Sequence, residues 1–256
     1  MAAETEKELQ QLKKRIAELA HKSYAHNIYT YTGFLSMAQQ DVFYRMLPEL
    51  AGAAYRLYGG RQDCERQVLR FGSEKTLGYE EDFPIACLAV KPCMEKFADE
   101  LSHRDFLGAV MNLGIERGMI GDIFLEGKSG YLFCLDRIAP YIMENLDKVK
   151  HTSVRCAIAD AATELSVKEP EEIRFTVSSE RVDGILAKVY HLSRNQSLEL
   201  FRERKVYVNG RLNENNSYAM KEGDMVSVRG YGRFVYYGAG HETKKGKWSV
   251  SAGVYR

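Results

Sequence analysis

Two arginines stand where the predicted beginnings of two successive helices would favour an anion. Arg181 lies two residues after Ser179, which is placed to cap the first helix. Arg194 directly follows Ser193, which forms a capping-box pattern with Gln196. A guanidinium beside the unpaired N–H groups of a helix's first turn makes a good site for phosphate. The spacing therefore indicates a polyanion partner.

A structural alternative exists for both arginines. They can lie in solvent, or they can pair with the neighbouring acids Glu180 and Asp183. A cation at the positive end of a helix dipole lowers helix stability by a few tenths of a kcal/mol, up to about 1 kcal/mol. The residues alone leave both interpretations open.

Short strands follow the two predicted helices. Val206 and Val208 alternate with polar neighbours, Asn209 and Gly210 form a turn pair, and a second strand is predicted from Met225 onwards. The stretch 178–232 therefore has the pattern of a small module of two helices followed by a sheet.

Four runs within this stretch carry a family resemblance. They are R-V-D-G-I-L, L-S-R, V-Y-V-N-G-R and E-G-D-M-V-S-V-R-G, and they resemble the RNA-binding module named after small-subunit ribosomal protein S-four. The module also occurs in pseudouridine synthases, tyrosyl-tRNA synthetases and a small heat-shock protein. Lys205 departs from the pattern, because the family usually has glycine there.

The resemblance and the two helix beginnings together predict an RNA-binding set. The cations should contact phosphates, Ser193 and the amides after it should complete an anion site, and Asn209 should mainly set the turn. The predicted set is Arg181, Ser193, Arg194, Arg202, Lys205, Asn209 and Arg211.

The charge of the chain is divided between its two ends. Residues 174–256 hold 15 Lys and Arg against 8 Asp and Glu, a net charge of +7. Residues 1–173 hold 21 against 27, a net charge of −6, so the whole chain is +1. Such asymmetry is typical of a nucleic-acid-binding end, and RNA affinity is expected to lie in the C-terminal part.

Catalytic and metal-binding patterns are not found in the sequence. It has no phosphate-binding loop, dinucleotide fingerprint, zinc-protease helix or nucleophile elbow. Cys87 and Cys93 have no neighbouring histidine, and His103 and Asp122 have no evident catalytic partner. We therefore predict no catalytic residue, no metal, no cofactor and no small-molecule substrate.

The composition places the protein among ordinary globular chains. The 256 residues include five cysteines without paired spacing, which favours a reducing compartment. No apolar run approaches the roughly 20 residues of a membrane span, and the acidic start is not a signal peptide. A cytoplasmic protein without a membrane partner is expected.

The middle of the chain alternates strands and helices. The predicted order is strand, helix, strand, strand, helix, strand, at 85–90, 103–113, 120–125, 131–135, 138–146 and 153–158. This is the order of a split βαβ domain, ferredoxin-like or RRM-like. Tyr131 and Phe133 share one strand face, but G-K-S-G-Y-L-F-C lacks most of the RNA-stacking signature. Core or interface packing is therefore favoured for both rings.

The N-terminal part is predicted to be mostly helical. Apolar residues at helical spacing indicate a helix over 4–22, and Ser36 with Gln39 begins a second helix. Tyr55 to Tyr58 is predicted as a strand, and 61–71 as a helix. The predicted class is α+β, with a helical region at 1–75, an RRM-like domain at 76–165 and the S-four-like module at 175–256.

Two further runs extend the resemblance over most of the chain. H-R-D-F-L-G-A-V-M-N-L-G-I-E-R-G-M-I-G-D-I and G-G-R-Q-D-C-E-R are similar to the YlmH-type bacterial RNA-binding proteins. The resemblance implies a ribosome-associated factor, in a family linked to quality control on stalled large subunits.

We therefore predict a non-enzymatic protein that binds structured RNA, rRNA or tRNA, on the ribosome. The first alternative is an RNA-modifying enzyme of pseudouridine-synthase type, although the Arg-Leu-Asp tripeptide of such enzymes is absent from this sequence. The second alternative is a protein-binding adaptor whose basic end is incidental.

Overall fold

The computed structural model describes residues 6–50, 52–160, 164–165, 169–243 and 246–255. The chain divides into two compact units, Met1–Ser166 and Val167–Arg256, and each combines helices with antiparallel sheet. The protein is therefore of the α+β class, as predicted. None of the described helices combines the length and apolar character that crossing a membrane requires.

The first part of the N-terminal unit packs helices on a small sheet. Its described elements are α1 (Glu6–His26), β1 (Thr30–Leu35), α2 (Met37–Met46), β2 (Tyr55–Tyr58), β3 (Gln67–Phe71) and the short α3 (Glu74–Leu77). The strands pair antiparallel in the order β1-β3-β2. Ser36 and Gln39 form the predicted capping box of α2, and the apolar side of α1 packs on Phe43 and Leu69.

The prediction of a helix over 61–71 was wrong. Residues 67–71 form β3, the central strand of this sheet, and Val68, Leu69 and Phe71 are buried on its two faces. A central strand covered on both sides loses the alternation that identifies strands in a sequence. The region 1–75 therefore contains a sheet in addition to its helices.

The second part of the N-terminal unit has the predicted βαββαβ order. Its elements are β4 (Ile85–Pro92), α4 (His103–Met111), β5 (Ile120–Glu126), β6 (Ser129–Leu135), α5 (Ala139–Asn145), β7 (Lys148–Val149) and β8 (Thr152–Ile158). The described strands pair antiparallel in the order β5-β6-β4-β8-β7. The structure adds the short strand β7 to the predicted pattern.

Both faces of this sheet are covered. Helices α4 and α5 pack on one face through Phe106 and Ile142. On the other face, Tyr131 and Phe133 of β6 pack with residues of the first part, among them Phe34. Tyr131 is 5% exposed and Phe133 is 2% exposed. The prediction that these two rings belong to the core is confirmed, because their faces are not available for stacking on bases.

The C-terminal unit combines two helices with one long sheet. Its described elements are β9 (Glu171–Val177), α6 (Val182–Val189), α7 (Arg194–Arg202), β10 (Val206–Val208), β11 (Arg211–Leu212), β12 (Met225–Val228), β13 (Gly232–Glu242) and β14 (Trp248–Tyr255). The strands pair in the order β11-β10-β12-β13-β14-β9. Residues from both helices, such as Ile185 and Phe201, share one core with Phe234 and Tyr236 of β13.

Candidate nucleic-acid interface

The beginning of α7 has the capping box that the sequence predicts. The Gln196 N–H donates to Ser193 Oγ at 3.2 Å, and the Ser193 N–H donates to Gln196 Oε1 at 2.9 Å. Arg194 is the first residue of the helix, and its side chain is exposed. Among the described residues, none accepts a hydrogen bond from the backbone N–H groups of Arg194 and Asn195. These two amides and the adjacent guanidinium are therefore open to an anion.

The beginning of α6 is different, because other parts of the chain already use its amides. The Val182 N–H donates to the Tyr218 carbonyl at 2.9 Å, and the Asp183 N–H donates to the Asn216 carbonyl at 3.3 Å. Ser179 was predicted to cap this helix, but the residue at the capping position is Arg181. The extended backbone of Arg181 forms a bridge to Ala219, so the helix begins only at Val182.

Arg181 itself is ion-paired. Its Nε lies 3.1 Å from Asp183 Oδ1, and its Nη2 lies 2.8 Å from Asp183 Oδ2. The arginine side chain is 39% exposed, and the aspartate side chain is 9% exposed. This pairing is the structural alternative that the sequence left open. Asp183 neutralises much of the charge that Arg181 would offer a phosphate.

A buried hydrogen bond joins the two helix beginnings. The Ser197 hydroxyl, one turn into α7, donates to the Asp183 carbonyl in the first turn of α6 at 2.8 Å. Arg194 lies three residues before Ser197, and Arg181 lies two residues before Asp183. The two helix beginnings are therefore adjacent, and neither arginine side chain is sealed inside.

At the other end of α7, the exposed Arg202 and the partly exposed Lys205 each lie beside an acid. Arg202 Nη1 is 3.0 Å from Glu199 Oε2, and Lys205 Nζ is 2.6 Å from Glu203 Oε2. Exposed pairs of this kind contribute about 0–1 kcal/mol. Each cation can therefore exchange its carboxylate for a phosphate at little cost.

Lys205 does not occupy the position that would need glycine. The left-handed residue after α7 is Arg204, with φ of 55°. The Lys205 N–H donates to the Leu200 carbonyl at 2.9 Å, and the Arg204 N–H donates to the Phe201 carbonyl at 3.0 Å. This is a Schellman motif, so the turn forms without glycine at position 205.

Asn209 sets the turn between β10 and β11, as predicted. Asn209 and Gly210 have φ of 50° and 75°, the pattern of a two-residue type I′ hairpin. Asn209 Nδ2 donates to Asp224 Oδ1 at 2.8 Å, and its Oδ1 accepts from the Met225 N–H at 2.9 Å. Both ends of the amide are thus occupied within the protein. Arg211 follows on the edge strand β11, with its side chain exposed.

Comparison with known proteins places the chain in a family. The model described as "Putative RNA-binding domain in YlmH" matches residues 79–163. The Bacillus subtilis "Ribosome-associated protein quality control protein P2" is 31% identical over 222 residues, which cover 86% of this chain and 85% of that protein. The chain belongs to the YlmH family. It is therefore a homologue of a ribosome-associated quality control protein.

Two other relatives match less of the sequence or only the fold. The structure titled "Cell division protein ylmH from Streptococcus pneumoniae" matches 65% of this YlmH-family chain and 99% of its own, with a TM-score of 0.50 and 19% identity. An "Uncharacterized RNA pseudouridine synthase" from Aquifex aeolicus is 42% identical over 50 residues. That match covers 20% of this chain and 21% of the relative.

Asp122, Cys87 and His103, which the sequence offered as candidates for catalysis or metal binding, lie in the N-terminal unit of this YlmH-family protein, where burial changes their pKa values. The Asp122 carboxylate accepts hydrogen bonds from the backbone N–H groups of Glu65 and Arg66, and burial raises the pKa of this carboxyl. Burial also raises the pKa of the Cys87 thiol to about 12 and lowers the pKa of His103. The described residues contain no group of three or more His, Cys, Asp or Glu side chains placed to share a metal ion.

One part of the candidate interface did not appear in the sequence-based prediction. The turn between β12 and β13 carries the exposed Arg229 and Tyr231, and the partly buried Arg233 follows at the start of β13. The run R-G-Y-G-R is a signal that could have indicated it, because two cations flank an aromatic residue between glycines. Its position beside the helices, however, depends on the tertiary structure.

Proposed function

We propose that this protein binds structured RNA on the ribosome through its C-terminal unit and catalyses no reaction. The observation that carries the proposal is the beginning of α7. There, exposed Arg194 adjoins two backbone amides without acceptors in the described chain. The net charge of +7 over residues 174–256 supplies the long-range attraction to a polyanion.

We further propose that the unit is an S-four-like RNA-binding module. Arg194, Arg202, Lys205 and Arg211 would contact phosphates, with Arg181 in a secondary role because Asp183 pairs with it. Ser193 would hold the α7 beginning in place, and Asn209 would hold the turn that presents Arg211. These assignments rest on exposure, charge and the order of helices and strands.

The ribosome as the place of action is supported by the relatives. The Bacillus subtilis protein is named as ribosome-associated and as a quality control protein. We therefore propose a cytoplasmic role on the large subunit, with rRNA or tRNA as the ligand, during quality control of stalled ribosomes. The two alternatives from the sequence are an RNA-modifying enzyme and a protein-binding adaptor.

The enzyme alternative has little support in this chain. The pseudouridine-synthase relative matches only a fifth of each protein, and the sequence lacks an Arg-Leu-Asp tripeptide. A shared RNA-binding module without a shared catalytic domain accounts for a match of that length.

Filter binding to tRNA and to a synthetic rRNA hairpin, at several salt concentrations, tests the proposal. We expect a steep salt dependence, and we expect Arg194→Ala to weaken binding and lower the salt slope by about 1. Lys188→Ala is the matched control, because Lys188 is an exposed cation in the last turn of α6, outside the proposed set.

Two results would contradict the proposal. A nearly flat salt dependence of the wild-type protein would favour the adaptor. Unchanged co-sedimentation of the Arg181→Ala/Arg194→Ala double variant with ribosomes would refute the role of the two helix beginnings. Because Arg181→Ala also removes the ion pair with Asp183, the fluorescence of Trp248 must first show that the C-terminal unit of the double variant is folded.

A further inference from the structure

The turn between β12 and β13 presents an aromatic ring at the end of a hairpin. Gly230 and Gly232 have φ of 85° and 102°, which a residue with a side chain rarely adopts. The Tyr231 N–H donates to the Val228 carbonyl at 3.0 Å and closes the turn. Tyr231 is held between the two glycines and is 45% exposed.

This turn lies beside the stretch that leads into α7. The ring centroids of Tyr231 and Tyr190 are 5.4 Å apart, and their planes are inclined by 53°. Tyr190 directly follows α6 and precedes Ser193 by three residues, a separation of at most about 11 Å along the chain. Tyr231 is therefore close to the anion site at the beginning of α7.

The same turn also touches the other end of α7. The Arg229 N–H donates to the carbonyl of Lys205 at 3.0 Å. Lys205 directly precedes β10, three residues after the last residue of α7. The turn consequently lies along a surface that has proposed phosphate contacts at both ends of the helix.

Two arginines flank Tyr231 in the sequence, and the guanidinium of each lies against the ring of another tyrosine. The guanidinium of Arg229 lies 5.9 Å from the ring centroid of Tyr207, and that of Arg233 lies 4.5 Å from the ring centroid of Tyr255. A ring beneath a guanidinium helps to hold it in place. An exposed aromatic ring on a surface that carries cations fits a nucleobase whose neighbouring phosphates are bound by basic residues.

We propose that Tyr231 stacks on an unpaired base of the RNA whose backbone is bound at α7. The base must be unpaired, because the faces of paired bases are already stacked on their neighbours within the duplex. The ligand is thus an RNA helix with a loop, bulge or splayed end, not a continuous duplex. This inference rests on the proposed function and adds the kind of RNA that the surface prefers.

The test compares a synthetic RNA hairpin that has an unpaired loop with the fully paired duplex of the same stem. We expect the wild-type protein to bind the hairpin about tenfold more tightly, the effect of one stacked base. Tyr231→Leu should remove this preference and leave duplex affinity unchanged within about twofold, whereas Tyr231→Phe should keep it. Leucine preserves apolar contact with Tyr190 but offers no aromatic face.

Two controls separate stacking from folding and from charge. Tyr24→Leu changes a tyrosine that is 84% exposed in α1, and it should not alter the preference. Arg194→Ala should weaken binding of both RNAs by the same factor. Replacing the loop bases by abasic nucleotides should weaken wild-type binding to the level of Tyr231→Leu and should not affect that variant further.

The outcomes distinguish this inference from the proposed function. If Tyr231→Leu keeps the wild-type preference, the stacking role is wrong while RNA binding stands. If the wild-type protein binds neither RNA, the proposed function fails. If Tyr231→Leu loses ribosome co-sedimentation with unchanged affinity for both RNAs, the ring contacts a protein, and the inference is overturned.

Discussion

Arg181 and Arg194 should differ in their effect on folding, although they occupy similar places in the sequence. Arg181→Ala removes both guanidinium contacts of Asp183, whose side chain is only 9% exposed. Breaking a fully buried ion pair costs roughly 3–5 kcal/mol. Arg181 is 39% exposed, so water can replace part of the pairing, and we expect a loss of about 1–2 kcal/mol in the free energy of unfolding.

Arg194→Ala should have almost no effect on stability. Arg194 is exposed at the beginning of α7 and has no ion-pair partner among the described residues. Removing a cation from the positive end of a helix changes stability by a few tenths of a kcal/mol, in the favourable direction. The two variants make the same chemical change, but only Arg181→Ala is expected to lower the free energy of unfolding.

The assay can follow the C-terminal unit alone. Trp248 is the only tryptophan of the chain, and it lies in β14 opposite Val177 of β9. Its fluorescence during urea unfolding therefore reports on this unit, and the midpoint gives the change in unfolding free energy. With Asp183→Ala and the Arg181→Ala/Asp183→Ala double variant, a double-mutant cycle should give a coupling of about 1 kcal/mol.

A wild-type midpoint for Arg181→Ala would refute this reasoning, because the pair would then contribute nothing to the fold. An equal loss for Arg194→Ala would also refute it, since no contact of that side chain explains such a loss. If the expected loss is found, RNA binding by Arg181→Ala has to be measured without urea, at a temperature at which Trp248 fluorescence reports a folded unit.

Two other predictions concern the N-terminal unit. Phe133→Ala should lower the unfolding free energy by about 3–5 kcal/mol, measured by circular dichroism, and should leave the salt slope of RNA binding unchanged, because the ring is a core residue. Phe97→Ala, at an exposed position, is the control for Phe133→Ala. Weaker RNA binding by Phe133→Ala at unchanged stability would contradict the prediction. Hydrogen bonds from the Ser102 hydroxyl and N–H and from Lys150 hold the pKa of Asp105 at about 2, below the usual value of about 4. Because the pKa of Asp105 is lower in the folded protein than in the unfolded chain, the stabilisation is present above about pH 4 and is lost as the pH falls to about 2. Asp105→Asn should therefore show a smaller drop in the urea midpoint over that interval than the wild-type protein. Identical drops for the two proteins would show that the carboxylate does not contribute.

The sequence by itself determined the features that depend on neighbours along the chain. The capping box of Ser193 and Gln196 and the Asn209–Gly210 turn each involve hydrogen bonds or dihedral angles within a few residues. The βαββαβ order followed from the hydrophobic periodicity of each segment. The division of charge between the two ends of the chain is likewise a property of composition.

Only the tertiary structure decided which predicted groups are available to a ligand. Arg181 and Arg194 have similar sequence surroundings, but the loop at 216–218 occupies the amides at the beginning of α6 and leaves those of α7 open. Residues 67–71 became a strand because they are covered on both sides by segments distant in sequence. Tyr231 came to lie beside Tyr190 through packing of the hairpin against a segment that is distant in sequence. Burial and pairing between distant segments are properties of the whole folded chain, so a local pattern can propose a binding residue, but the fold determines whether that residue is free to bind.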